Sequence, residues 1–121
     1  MANVLVIDDS ATDRRLLEQW LQALGHRPLL AEDAASGLRM AFEIRPDAIV
    51  MDVVMPGQNG FEATRLLVRD PRTCAIPIIL ISTKTQLSDM AWGRRIGAKA
   101  YLAKPFSQDQ LGDALRAAWA E

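Results

Sequence analysis

Two kinds of segment alternate along the chain. Short apolar runs of strand length stand at Val4 to Ile7, Leu29 to Ala31, Ala48 to Met51, Ile76 to Ile81 and Ala100 to Ala103. Between them the apolar residues recur at helical spacing. Leu16, Leu17, Trp20, Leu21 and Leu24 form one stripe, Leu38, Ala41 and Phe42 a second, and Phe61, Leu67 and Val68 a third. Leu111, Ala114, Leu115, Ala118 and Trp119 form the most regular, at i, i+3, i+4, i+7 and i+8. The punctuation agrees. Gly25 follows the first stripe as a helix terminator, Pro46 closes the second, and Ser107 with Gln110 makes a capping box before the last.

This order predicts (βα)5, an α/β fold. Alternating strands and helices imply a parallel sheet covered on both faces. A run such as Ile78 to Ile81, apolar at every position, suits a strand buried on both sides. Pro28 beside the second run places that strand at an edge, because proline donates no ladder hydrogen bond. The strand order expected is 2-1-3-4-5, the flavodoxin-like doubly wound sandwich. Ligands of such sheets bind beyond the carboxyl ends of the strands, where the first and third strands lie side by side.

Composition then narrows the function. The 121 residues make one domain, residues 1–121, with enough chain for a core without disulfides. Fourteen Lys and Arg against fifteen Asp and Glu leave a net charge of −1, without the basic excess of a phosphate-reading nucleic-acid binder. The single cysteine, Cys74, excludes an internal disulfide and a multi-cysteine zinc site. No apolar run reaches membrane-spanning length and the N-terminus lacks a signal-peptide design. A soluble, cytoplasmic domain with no nucleic-acid or membrane partner is expected.

The chemistry sits where the strands end. The first ends in Asp8-Asp9, the third in Asp52, the fourth in Ser82-Thr83 and the fifth in Lys104-Pro105. Each has an ordinary reading taken alone: an acidic helix cap, a turn aspartate, a hydroxyl cap, a solvated lysine. Those readings do not require all four groups to share one pole, whereas the topology puts them there. Three converging carboxylates repel and resist ionisation unless a cation joins them. An all-oxygen site of this kind suits Mg²⁺. A carboxylate beside Mg²⁺, a hydroxyl and an ammonium is arranged to attack phosphorus and hold the transferred oxygens.

These residues carry a family resemblance over the whole chain. Val4-Leu-Val-Ile-Asp8-Asp9-Ser10, Met51-Asp52-Val-Val-Met55-Pro56-Gly57-Gln-Asn-Gly60, Ile79-Leu-Ile-Ser82 and Tyr101-Leu-Ala-Lys104-Pro105-Phe106 resemble the receiver domains of two-component response regulators, the chemotaxis-regulator type among them. Thr83-Lys84 and Trp92 to Ala98 are similar to stand-alone regulators of type IV pilus twitching motility. The resemblance implies that Asp52 is the phosphoacceptor. Asp9, Asp52 and the backbone carbonyl of Val54 would bind Mg²⁺, with Asp8 holding a metal water. Ser82 would bond the phosphoryl group, Lys104 would pair with its oxygens, and Tyr101 would turn inward as the aromatic switch. The Lys104–Pro105 bond would be cis, a proline speciality.

The resemblance further implies a sensor histidine kinase as phosphodonor and no output domain. Signalling would then run through contact with a downstream protein on the face of helix 4, strand 5 and helix 5, where Leu87, Met90, Trp92 and Tyr101 lie. The chain would be a monomer, or a weak dimer formed on phosphorylation. Such a protein is not a conventional enzyme; its chemistry is its own phosphotransfer and slow self-dephosphorylation. Two other classes share some of these features. A haloacid-dehalogenase-type phosphatase also uses an aspartate nucleophile, but carries a second Asp two residues on, where this chain has Val54. A phosphate-independent adaptor would not need Asp8, Asp9, Asp52, Ser82 and Lys104 together. No Gly-Lys-Ser/Thr phosphate loop occurs. Ser82 stands where Thr is common, Thr83 where a small residue is common, and neither Val54 nor Lys84 offers a carboxamide or carboxylate to orient water. His26, in the loop after the first helix, reads as a surface turn residue.

Overall fold

The computed structural model describes residues 1–120. Its elements are β1 (Asn3–Ile7), α1 (Ala11–Ala23), β2 (Arg27–Ala31), α2 (Ala34–Ile44), β3 (Ala48–Asp52), α3 (Gly60–Arg69), β4 (Ile78–Ser82), α4 (Leu87–Arg95), β5 (Ala100–Ala103) and α5 (Gln108–Trp119). The strands form one parallel sheet in the order β2-β1-β3-β4-β5, the flavodoxin-like arrangement the pattern predicts.

The apolar strands work on both faces. Along β1, Val4 and Val6 join Leu17, Leu21, Leu111 and Leu115 of α1 and α5, whereas Leu5 and Ile7 join Ala41, Ala63 and Leu67 of α2 and α3. β3 and β4 divide in the same way, so a strand that reads as continuously hydrophobic is an alternating strand with two cores. Truncating a fully buried member such as Leu21 to Ala would cost about 2–5 kcal/mol.

Helix ends match the chain's punctuation. Gly25 takes φ +87° just after the Leu24 cap, and Arg45 takes φ 52° just before Pro46. Ser107 and Gln110 form the reciprocal capping box, and Asn59 with Glu62 forms a second at α3. β2 is an edge strand with Pro28 inside it, since the strand begins at Arg27, two residues before its apolar run. β4 begins at Ile78 rather than Ile76; Ile76 closes the turn after α3 through its amide bond to the Thr73 carbonyl.

α4 leaves the weakest trace in the pattern because its buried contact is Gly93. A Cβ there would sit 3.0 Å from Tyr101 Cδ2 and 3.1 Å from Leu80 Cδ1, so the helix lies on the sheet through its bare backbone. Gly60 makes a closer approach at the start of α3: a Cβ would fall 2.4 Å from the Asp52 carbonyl oxygen. That contact holds the β3–α3 loop tight beneath the site.

Candidate functional site

Strand register brings the site together. Ile7 pairs with Met51, which sets Asp8 beside Asp52 one step further along, and Ser82 pairs with Ala103 ahead of Lys104. Ligand oxygens of Asp8, Asp9 and Asp52 lie within 4.8 Å of one another, with Asp8 and Asp52 buried and Asp9 exposed. All three were expected to converge, and they do.

Lys104 occupies the centre of this charge. Its Nζ donates to Asp8 Oδ2 at 3.2 Å, to Asp52 Oδ2 at 3.1 Å and to Asp13 Oδ2 at 2.9 Å. Asp13 was not anticipated from the sequence. It stands in the first turn of α1, where the Ser10 hydroxyl caps its amide at 3.2 Å, and the helix start aims its carboxylate back at the sheet. An acidic residue three after a serine cap was the available signal; it reads as ordinary capping until Lys104 is placed beside it. Arg14 Nη1 supports the same corner by donating to the Asp8 carbonyl at 2.7 Å.

The second oxygens of the buried pair are held by backbone. Asp8 Oδ1 accepts from the Ser10 amide at 2.9 Å, and Asp52 Oδ1 accepts from the Val54 amide at 3.2 Å. Burial pushes the Asp52 carboxyl above its ordinary range; Lys104 pulls it back, the Asp8 charge adds to the rise, and the net shift is upward. Burial works against the Lys104 ammonium, but its bond to Asp13 and the charges of Asp52 and Asp8 overcome this and raise it above the ordinary lysine range. One ammonium therefore bonds three carboxylates, with Asp9 a fourth beside them, and this cluster retains negative charge. The donors are all oxygen and two are buried, which fits a hard divalent cation such as Mg²⁺. Asp8, Asp9 and Asp52 are the side chains that would hold it.

The remaining expected residues line the same pole. Ser82 is buried, and its Oγ accepts from the Lys84 amide at 2.9 Å. The Lys104–Pro105 bond is cis, and the Lys104 amide donates to the Ser82 carbonyl at 2.8 Å. Tyr101 already points inward: it is 4% exposed, its hydroxyl donates to the Lys84 carbonyl at 2.6 Å, and its ring lies 6.5 Å from that of Phe61. Burial raises the phenol's pKa while a bond with the Ser82 side chain lowers it, with a net rise that keeps the hydroxyl a donor. Tyr101 and Ser82 thus both bond the backbone of Lys84, one at its carbonyl and the other at its amide.

Several placements refine the sequence reading. Lys84 turns away from Asp52, its Nζ 3.7 Å from Asp89 Oδ1 on α4. Trp92 is 42% exposed, but it shares a cleft with Arg65 and Arg69 of α3 and so faces away from the α4–β5–α5 surface. Its spacing explains this: Trp92, Arg95 and Ile96 form one i, i+3, i+4 side of α4, and that side meets α3. Leu87, 86% exposed, and the partly buried Met90 are the apolar residues of α4 left towards the expected face. His26 is half-buried, with its ring edge-on to Trp119 at 5.1 Å between centroids.

The comparisons agree with this geometry. The protein PilH of Pseudomonas aeruginosa is 46% identical over 111 residues, covering 92% of this chain and 92% of that one. PilG of the same organism is 36% identical over 94% of this chain and 84% of its own. Among solved structures, the chemotaxis protein CheY4 of Vibrio cholerae superposes with a TM-score of 0.91 at 32% identity, covering 98% of each chain. The receiver domain of a Pseudomonas aeruginosa sensor histidine kinase, solved with a magnesium ion coordinated in its active-site cleft, superposes at 0.91 with 29% identity over 99% of this chain and 98% of that one. Residues 4–116 match the response regulator receiver domain, and the chain belongs to that family.

Proposed function

We propose that this receiver accepts a phosphoryl group on Asp52 from the phosphohistidine of a sensor kinase. The observation that carries the reading is Asp52 itself: a nearly buried carboxylate joined by Lys104, with Asp8 and Asp9 beside it. An Asp52 oxygen forms the new O–P bond as the donor's N–P bond breaks, and the departing imidazole takes its proton from solvent. Bound Mg²⁺ would neutralise the carboxylates and the transferred oxygens. Asp9, Asp52 and the Val54 carbonyl would ligate it and Asp8 would hold one of its waters. Lys104 would exchange carboxylate oxygens for phosphoryl oxygens at little electrostatic loss. Ser82 would release the Lys84 amide to bond the phosphoryl group. Because Ser82 Oγ and the Tyr101 hydroxyl both bond the backbone of Lys84, that movement would pass to α4 and β5.

The reading makes the chain, residues 1–121, a stand-alone cytoplasmic receiver that signals by contact with a downstream protein, as a monomer or a phosphorylation-dependent dimer. The extended similarity to PilH and PilG supports a role in pilus or chemotaxis-like signalling. No described helix is long and apolar enough to cross a membrane. The test is addition of beryllofluoride with Mg²⁺, which stands in for the phosphoryl group, to isotope-labelled protein. Amide shifts should concentrate in residues 82–106 as well as at Asp52. Shifts confined to residues 10–45 would overturn the proposed route.

A further inference from the structure

A second site lies away from the carboxylates, between α3 and α4. Arg65, Val68 and Arg69 of α3 face Trp92, Arg95 and Ile96 of α4 across a cleft of about 300 Å³. That volume stands at the small end of the range for small-molecule pockets. We propose that this cleft binds a purine nucleotide, with the base against Trp92 and the phosphate on Arg65, Arg69 and Arg95.

Arginines on a helix surface are most often solvated, and three features bear on these. First, they converge from two helices on one concavity. Second, among the described residues none of the three has a carboxylate within ion-pair distance, which they share with Arg15, Arg27, Arg39, Arg45 and Arg94, so that what distinguishes them is the convergence of unpaired guanidinium groups on one cleft. The chain as a whole carries net charge −1, so a concentration of three guanidinium groups without an acidic partner is a local departure from its balance. Third, the aromatic residue among them is a tryptophan left 42% exposed on a helix whose one fully buried residue is Gly93.

The backbone at the end of the cleft is closely packed. At the end of α4, Gly97 takes φ +121°, and a Cβ there would lie 2.7 Å from Val68 Cγ2 of α3. Gly93 sets the helix equally close to Tyr101 and Leu80. The turn that ends α4 is therefore held against Val68 of α3, and Gly93 holds the helix on the sheet, so the backbone on both sides of the cleft is anchored.

The chemistry of the lining selects the occupant. Guanidinium forks match phosphate oxygens in pairs, and the phosphate's charge of roughly −1.5 to −2 answers the three cations. An exposed indole offers a flat face on which a base stacks, and purines present the larger surface. Val68 and Ile96 give the apolar floor that a sugar or base edge would cover. An acidic peptide would use the arginines but leave the exposed indole face without a counterpart.

The experiment is a titration of labelled protein with guanosine monophosphate in EDTA, which keeps divalent metal from carrying nucleotide to the carboxylate site. The readout is the Trp92 indole N–H together with the amides of residues 65–69 and 92–96. Expected is a saturable shift there, with guanosine and inorganic phosphate each binding at least ten-fold more weakly, about 1.4 kcal/mol. Arg69→Ala with Arg95→Ala should weaken binding by at least ten-fold, as should Trp92→Ala, while Trp92→Phe should keep most of it. These side chains are exposed or at the cleft rim, and circular dichroism checks that the fold is retained. The proposal is overturned if guanosine monophosphate gives no saturable shift at the cleft. It is equally overturned if the arginine variant binds undiminished, if the shifts fall at Asp9, Asp52 and Lys104 instead, or if a polyglutamate peptide binds the cleft where the nucleotide does not.

Discussion

Asp13 competes with the incoming phosphoryl group for Lys104, and removing its charge should favour the activated state. The contact is short, 2.9 Å from Nζ to Oδ2. Coulomb's law gives 332/(80 × 2.9), about 1.4 kcal/mol in bulk water, and more in a lower dielectric. Asp13 is 40% exposed and Lys104 17%, so solvent screening and the ordering of both side chains reduce the net worth to about 0.5–1 kcal/mol. Lys104 must give up this bond to reach phosphoryl oxygens, yet it remains positioned by Asp8 and Asp52 when Asp13 is neutral. Asp13→Asn, which keeps the shape and removes the charge, should therefore tighten beryllofluoride binding about two- to five-fold. The assay is beryllofluoride titration in Mg²⁺ read at the Ser82 amide, with Asp13→Glu as the charge-preserving control. The gain should shrink as salt is raised, because the contact is partly exposed. Weaker binding in Asp13→Asn would refute the reasoning and show that Asp13 holds Lys104 in its productive position.

Further outcomes follow from the same geometry. Asp9→Ala should abolish the Mg²⁺-dependent shifts around Asp52, since Asp9 is the exposed member of the carboxylate cluster; an unchanged titration would put the metal elsewhere. Self-dephosphorylation should be slow, because Val54 cannot position water and Lys84 is turned towards Asp89. Val54→Asn with Lys84→Glu should accelerate it about ten-fold if positioning lowers the barrier by about 1.4 kcal/mol, measured as phosphate loss with and without EDTA. Gly60→Ala should destabilise the fold by about 1–3 kcal/mol in urea melts, because its methyl would meet the Asp52 carbonyl. A stable Gly60→Ala protein would show that the β3–α3 loop is not held by that contact.

Much of this was legible in the chain because it depends on periodicity and strand ends. Doubly buried β3 and β4 announce themselves by unbroken apolar runs, and Asp8, Asp9, Asp52, Ser82 and Lys104 converge once those strands are set parallel. What escaped depends on side-chain direction. Asp13 looks like a helix-cap acid until Lys104 is threaded between it and Asp52. Trp92 reads as part of an α4–β5–α5 surface until the rotation of α4, set by the seat of Gly93 on Tyr101, turns it towards α3. Tyr101, expected to turn inward as the switch, stands inward in the structure, where the Lys84 carbonyl accepts its hydroxyl and Gly93 leaves room for its ring. α4 itself carried no stripe to read, since its contact with the sheet is made by a glycine.

The central claim is that Asp52 is the phosphoacceptor, and intact-mass measurement tests it most directly. Incubated with acetyl phosphate and Mg²⁺, the natural protein should gain the mass of one phosphoryl group, lose it on prolonged incubation, and gain nothing in EDTA. Asp52→Asn should remain unmodified under every condition. Uptake by Asp52→Asn equal to that of the natural protein, or no uptake by either, would contradict the account.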